Sequence, residues 1–545
     1  MSIDLSGAFA EALASAVVGA PIALVSAAVG LVALTTLNWR GTVAVVPGAV
    51  AMALAPLHGA ALWPLTAAVV CGALREHWRI EDVRKGQDKG RRARQAIGPF
   101  QLARNVRDRR LVVRGLYETD QAYPIGVDQS GAVVCLPLGI DEGRHSLVIG
   151  ATGSGKTTTL VAAAKAHVDA GCGVVVIDPK GDPALVDRLR RFADGAQRDF
   201  MVFSLSGDGG RWNPLAHGTP SELSDKLIAA EDWTEPHYKR LYQRYLLTVF
   251  TAIRARADTP DVAMVVDLLK PERLALYARD IHDAVTAERI DRHLCDLTDH
   301  ERRDLAGLRN RIALLSESEL GPLLEPSSDG TDDIDLLTSI RRRTVVVFSL
   351  NSSRYPETSK LLGAALFQDV KNAAGVLEAD TGDAYSAAVI VDEFSAFGQD
   401  HVVGLFQRAR SARLSLLLAT QELADLRQVD ASFQDQVLAN VETVVAHRQN
   451  VPASAELVAQ LAGTRDVWVR TFQTDRSASL SRRGPLTRGT MHRGHEFHVA
   501  PDTVKQLDVG QVVVITKNPH AVRIARIQPA RGASDPAMES RRGRR

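Results

Sequence analysis

The sequence predicts an α/β fold: a central, mostly parallel sheet wound on both faces by helices, with an all-α insertion and an N-terminal hairpin of two transmembrane helices. Three observations predict it. Short, near-continuous apolar runs alternate with helical stretches from residue 145 to residue 446. The interval from Ser221 to Glu325 has helical periodicity and no strand-like run. The first 74 residues contain two long stretches without a charged side chain.

At the N-terminus there is no charge from Ala12 to Leu37, nor from Gly41 to Leu74. A helix needs about 20 apolar residues to cross a bilayer, so each stretch is long enough for one span, the second with a kinked entrance at Pro47, Pro56 and Pro64. The alternative is an Ala-rich hairpin buried inside a soluble protein. No basic segment precedes the first run, so a cleaved signal peptide is not expected. The flank after Leu74 is strongly basic, with Arg84, Lys85, Lys89, Arg91, Arg92 and Arg94 among its charges. Basic flanks stay cytoplasmic, which places both termini on that side. The same cluster suits contact with anionic lipid or with nucleic acid. Total charge does not choose between these partners, because 65 Lys and Arg nearly balance 64 Asp and Glu. The four cysteines are scattered and form no CxxC pair, which argues against a disulfide framework or zinc ribbon and fits a reducing cytoplasm.

Strands are expected at 145–149, 173–177, 200–205, 344–349, 387–391, 414–419 and 441–446, with closing strands at 511–516 and 521–527. Runs this uniformly apolar are buried on both faces, as in parallel sheets. The expected division is a transmembrane region over 1–75, a basic linker over 76–115, the α/β domain over 116–220 and 330–530, the all-α insertion over 221–329, and a basic tail over 531–545. Within the insertion, HYKRLYQRYLLTVF (237–250) interleaves Tyr238, Tyr242 and Tyr245 with Lys239, Arg240 and Arg244. It reads either as a surface that stacks bases and binds phosphates or as an amphipathic helix with partly buried tyrosines. Residues 475–495 are expected to form an exposed loop. His492, His495 and His498 lie within or just beyond it and read as plain loop residues or, alternatively, as metal ligands.

The chemistry is concentrated at LVIGATGSGKTTTL (147–160). Gly150, four residues, then Gly155-Lys156-Thr157 is a complete phosphate-binding loop between a strand and a helix. The expected cradle is Gly150, Ala151, Thr152, Gly153, Ser154, Gly155, Lys156, Thr157 and Thr158. Its N–H groups and the helix N-terminus attract phosphate, Lys156 reaches the β- and γ-phosphates, and the Thr157 hydroxyl suits Mg²⁺. A second acid is supplied by AAVIVDEFSAFG (387–398), where Asp392 would hold Mg²⁺ and Glu393 would deprotonate an attacking water. Gln421 ends the next strand, LLLATQ, at the same crevice. Arg408, Arg410 and Arg413 precede that strand, and chemistry alone prefers none of them as a cation acting on a neighbouring subunit's phosphate.

These motifs resemble those of the TraG/TraD-type coupling proteins of conjugative type IV secretion, which are P-loop, RecA-like ATPases related to FtsK and HerA. DPKGD (178–182), WNPL (212–215), VDEF (391–394), LLATQ (417–421) and NVETVVAHRQNVPASAELVAQLAG (440–463) carry the resemblance, which extends over most of residues 120–527. It implies an inner-membrane, multi-pass protein with its motor in the cytoplasm, ATP and Mg²⁺ as cofactors, and assembly as a homo-hexamer. It further implies DNA, relaxase or relaxosome proteins and secretion-channel components as partners. Spacing from Gln421 assigns the family's trans-acting arginine to Arg410. The expected function is ATP-driven translocation of DNA, in single-stranded form, to a secretion channel. The alternatives are an FtsK-type double-stranded DNA pump and a nucleotide-switched membrane receptor for protein substrates.

Overall fold

The computed structural model describes residues 99–114, 121–229, 235–327, 332–380, 385–397, 399–473 and 488–530. Both expected membrane spans and the basic tail lie outside these residues; among those described, no helix is long and apolar enough to cross a membrane. The chain divides between Arg110 and Leu111 into two units. The first is described only at its end, where helix α1 (Pro99–Arg114) begins with Arg104, Arg107, Arg109 and Arg110 exposed.

The second unit opens with β1 (Ala122–Asp128), β2 (Val133–Pro137), β3 (Ser146–Ile149), α2 (Lys156–Asp169), β4 (Gly173–Asp178), α3 (Pro183–Gly195) and β5 (Phe200–Ser204). A helical interval follows: α4 (Pro220–Ala229), α5 (Pro236–Ala255), α6 (Val262–Leu268), α7 (Pro271–Ala278), α8 (Ala284–Asp296), α9 (Asp299–Ser316) and α10 (Leu336–Arg341). The α/β pattern resumes with β6 (Val345–Ser349), α11 (Pro356–Ala379), β7 (Ala387–Val391), α12 (Gln399–Ser411), β8 (Leu414–Thr420), α13 (Leu423–Val429), α14 (Phe433–Asn440), β9 (Thr443–Ala446) and α15 (Pro452–Ala462). The chain then forms β10 (Thr464–Gln473), β11 (Arg488–Phe497), α16 (Pro501–Lys505), β12 (Gln511–Lys517) and β13 (His520–Ile527).

Eleven strands form one sheet in the order β2-β1-β13-β12-β9-β3-β8-β7-β4-β6-β5. From β9 to β5 all neighbours are parallel; β12, β13, β1 and β2 extend it antiparallel. The parallel strands β3, β4, β6, β7 and β8 are buried throughout. Alternate side chains feed two cores, as the two-residue period of a strand dictates. Val174, Val176, Val345 and Val347 pack with α2 and α3; Val175, Ile177, Val346 and Phe348 pack with α11, α12 and the helical interval. That second core runs without a break into α5, through Trp212 packed edge-on against Phe203 and Phe348.

The tyrosine-rich stretch is α5. Tyr242 and Tyr245 are buried, and the Tyr242 hydroxyl donates to the Asp304 carbonyl at 3.1 Å, whereas Lys239, Arg240 and Arg244 are exposed. The amphipathic-helix reading therefore holds for this pair, which cannot stack bases. At the other end of the unit, residues 488–495 belong to a strand rather than a loop: β11 pairs antiparallel with β10, Thr464 opposite Phe497 and Gln473 opposite Arg488. This ribbon forms a sheet of its own, and among the described side chains of β11 Arg493 and His495 to Phe497 are exposed, as is His498 just after it, so that part of the strand has no buried face to demand an alternating apolar pattern. His495 pairs with Asp466 at 3.0 Å, and the His498 ring lies against that of His520. Among the described residues no three His, Cys, Asp or Glu converge as metal ligands, and the side chain of His492 lies outside them.

Candidate nucleotide site

The C-terminal ends of β3, β4, β7 and β8 open onto one crevice, where open α/β sheets bind ligands. The loop leaving β3 is tied to its neighbours through the backbone: Gly150 N–H donates to the Gln421 carbonyl at 3.0 Å and Ala151 N–H to that of Arg448 at 2.9 Å. Gly153 and Gly155 adopt φ of +75° and +109°, conformations that favour glycine. Beside Gly153 an added Cβ would meet nothing within 4 Å. The N-terminus of α2 has no side-chain cap, so no cap side chain neutralises its partial positive charge. Lys156, buried at 7% exposure, donates to the Gly150 carbonyl at 2.6 Å. Burial lowers its pKa, partly opposed by the Glu393 carboxylate 3.6 Å away.

Across the crevice, Asp392 is buried and accepts from the Glu393 N–H at 3.0 Å. Glu393 has φ of +45°, a left-handed conformation that a non-glycine residue holds only when its surroundings impose it. From β8, Gln421 Oε1 accepts from Thr152 Oγ1 at 3.0 Å. Four of the expected residues, Lys156, Asp392, Glu393 and Gln421, thus come together around the loop Gly150–Thr158. Their oxygen donors fit a hard cation, and the uncapped α2 N-terminus with Lys156 fits a polyphosphate. Arg410 is elsewhere. It lies just before β8, at the opposite end of that strand from Gln421, exposed and paired with Glu142 at 2.7 Å. Seven strand residues separate these ends by about 20 Å, so Arg410 does not serve the crevice of its own chain.

Two residues without an assigned role from sequence contribute to the site. Lys180, on the loop after β4, bridges Asp392 Oδ2 at 3.0 Å and Glu393 Oε1 at 2.9 Å. Burial pushes its ammonium down, but the two carboxylates outweigh this and leave its pKa raised. His447, at the end of β9, is fully buried under the phosphate loop. Its Nδ1 lies 3.1 Å from the Ser154 carbonyl and its Nε2 3.0 Å from Thr159 Oγ1. The carbonyl needs a donor, so Nδ1 carries the proton and Nε2 accepts from the threonine. Burial lowers the His447 pKa to about 4, consistent with this neutral tautomer. The signals for both were present: a lysine just past a strand that enters the crevice, and a histidine at the end of the apolar run TVVA.

Two family models match the parts of the chain that build this crevice. Residues 124–203, with the phosphate loop and Lys180, match the HerA-like helicase C-terminal model. Residues 386–508, with Asp392, Glu393, Gln421 and His447, match the model described as the TraM recognition site of TraD and TraG. By these two matches the chain is similar to the TraG/TraD-type coupling proteins that its motifs resemble. A relative, the type 4 coupling protein DotL of Legionella pneumophila, is 21% identical over 474 residues, with 70% of this chain and 60% of DotL covered. An uncharacterised protein of Mycoplasma pneumoniae is 35% identical over 106 residues, 19% of this chain and 69% of that protein. Among solved structures, the unbound conjugative coupling protein TrwBΔN70 shares the fold with a TM-score of 0.56 at 14% identity, covering 78% of this chain and 92% of that one. TrwB in complex with the ATP analogue ADPNP gives 0.55 at 14% identity over 78% and 93%, and TrwB with ADP and Mg²⁺ gives 0.53 at 16% over 77% and 91%.

Proposed function

We propose that this TraG/TraD-type protein is a membrane-anchored ATPase that drives DNA, as a single strand, into a type IV secretion channel. The observation that carries the reading is the convergence of Lys156, Asp392, Glu393 and Gln421 on the glycine-rich loop. In this reading the N–H groups of the cradle and Lys156 hold the ATP phosphates, and Thr157 and Asp392 hold Mg²⁺. When bound there, Mg²⁺ would supply neutralisation of the phosphate charge. Glu393 takes the proton of the attacking water. Gln421, tied to Thr152, registers the γ-phosphate. Arg410 acts on the site of the adjacent subunit in a homo-hexamer, since its own crevice is out of reach. The TrwB complexes with ADPNP and with ADP and Mg²⁺ support the cofactor choice. The family match over 386–508 supports docking of relaxosome proteins on that segment, and DotL supports secretion-channel components as partners. The two uncharged N-terminal stretches support insertion in the plasma membrane, with the motor on the cytoplasmic side.

The test is ATP hydrolysis by the full chain in detergent, without DNA, with single-stranded DNA and with duplex DNA. The expected result is stimulation by single strands that weakens with salt, because phosphate contacts release counterions, and that disappears in Glu393→Gln. Stimulation by duplex alone would favour the double-stranded DNA pump. Indifference to both would favour the receptor for protein substrates.

A further inference from the structure

The loop after β4 places a second lysine in the crevice, and its backbone is firmly held. Asp178, buried at the end of β4, accepts from the Lys180 N–H at 2.9 Å and the Asp182 N–H at 2.7 Å. The strand-end backbone of β6 closes the other side: Leu350 N–H donates to the Asp178 carbonyl at 2.9 Å and Ser352 N–H to that of Pro179 at 2.7 Å. Gly181 has φ of +71°, and a Cβ there would come within 3.0 Å of the Asn351 Cβ. The ammonium of Lys180 is thereby fixed near the carboxylate pair, while its side chain remains about half exposed.

Glu393 therefore lies between two cations. Its Oε1 is 2.9 Å from Lys180 Nζ and 3.6 Å from Lys156 Nζ. The nearer contact is a hydrogen-bonded ion pair and the farther one is longer than a hydrogen bond. Lys156 is the cation a phosphate needs. A carboxylate that closed on it would cancel its charge and place a negative group against the incoming anion.

We propose that Lys180 is a positioning residue which holds Glu393 off Lys156, keeping Lys156 available to phosphate and Glu393 aimed for its own task. The proposal rests on the nucleotide-site reading above and adds to it a division of labour between two lysines. The simpler view, that Lys180 only neutralises buried acid and stabilises the loop, makes a different forecast when Glu393 loses its charge.

The experiment titrates a fluorescent ADP analogue, in EDTA, into the full-length wild type, Lys180→Ala, Lys180→Arg, Glu393→Gln and the double variant Lys180→Ala/Glu393→Gln. Binding in EDTA involves no metal and no turnover. Lys180→Ala is expected to bind about fivefold more weakly than wild type, as the freed Glu393 turns to Lys156. The double variant is expected to bind as tightly as Glu393→Gln alone, because a neutral amide cannot quench a cation. Lys180→Arg is expected to stay near wild type. Unchanged affinity in Lys180→Ala overturns the proposal. So does a loss that persists in the double variant, which would mark a collapsed loop. Wild-type protein that binds no ADP would instead sink the nucleotide-site reading on which the proposal stands.

Discussion

The imidazole of His447 lies beneath the phosphate loop, joining the Ser154 carbonyl on one side to the Thr159 hydroxyl on the other. One buried ring thus ties the loop to the first turn of α2 and to the parallel strand next to β3. A Cβ on Gly150 would come within 2.4 Å of the His447 Cβ, so the glycine that opens the loop also makes room for this ring.

The protonation state of His447 makes stability depend on pH. Its pKa falls from 6.5 to about 4 through burial. The unfolded chain therefore takes up a proton at a pH where the folded chain does not. The stabilisation from the neutral ring is complete above pH 6.5 and is lost as pH falls toward 4, amounting to about 3 kcal/mol for this group. His145, also lowered to about 4 by burial, acts in the same window and the same direction. Denaturant melts at pH 7 and pH 4.5 should show the acid loss, and His447→Gln should show a smaller one. An equal loss in that variant would assign the effect to other groups.

A second buried tie joins α4 to the α/β core. Lys226, fully buried, donates to Asp369 on α11 at 2.8 Å and to the Pro214 carbonyl at 2.5 Å; Trp212 Nε1 donates to the other Asp369 oxygen at 3.2 Å. Removing one partner of a buried pair leaves an uncompensated charge. Lys226→Met should therefore destabilise by about 3–5 kcal/mol, read from the denaturant midpoint. Pairing it with Asp369→Leu should recover a large part of that loss, since replacing both ions by apolar groups is often neutral.

What the sequence makes legible follows from how each element is buried. Strands β4, β6, β7 and β8 announce themselves because both faces are covered and every position is apolar. Strand β1 does not, because Pro124 and Gly126 interrupt it; its register shifts between them, and Gly126 lies so close to the Arg526 carbonyl that a Cβ would come within 2.1 Å. Strand β11 is hidden for the opposite reason: its described side chains Arg493, His495, Glu496 and Phe497 are exposed and show no apolar pattern. At the site, Lys156 is identified by spacing alone, since its loop is local in sequence. The contacts of Lys180 with Asp392 and of His447 with Ser154 join residues more than 200 positions apart. They exist because β4 neighbours β7 and β9 neighbours β3, and the order of strands along the chain does not reveal who sits beside whom.

The two sides of the crevice should separate binding from turnover. Lys156→Ala removes the cation nearest the loop and should abolish both ATP binding and hydrolysis. Glu393→Gln retains the shape and should bind ATP while turnover falls by about 100-fold or more, the usual worth of a general base. Fluorescent-nucleotide titration and phosphate release measure the two quantities on the same samples. Full turnover in Lys156→Ala would remove the site from the reaction.

The position of Arg410 makes a prediction about assembly. At the far end of β8 from Gln421, its guanidinium is held by Glu142 and faces solvent. If it completes the site of an adjacent subunit, Arg410→Ala should lower turnover by about 1000-fold, as loss of an arginine finger does, without weakening ATP binding to the same extent. Glu393→Gln should also be slow, by about 100-fold or more. Mixed in equal amounts and reassembled, the two inactive proteins should regain activity. A subunit with intact Glu393 then meets a neighbour with intact Arg410 at about a quarter of the seams of a ring built head to tail. A mixture no faster than its components would place Arg410 outside the reaction, or the protein outside a ring.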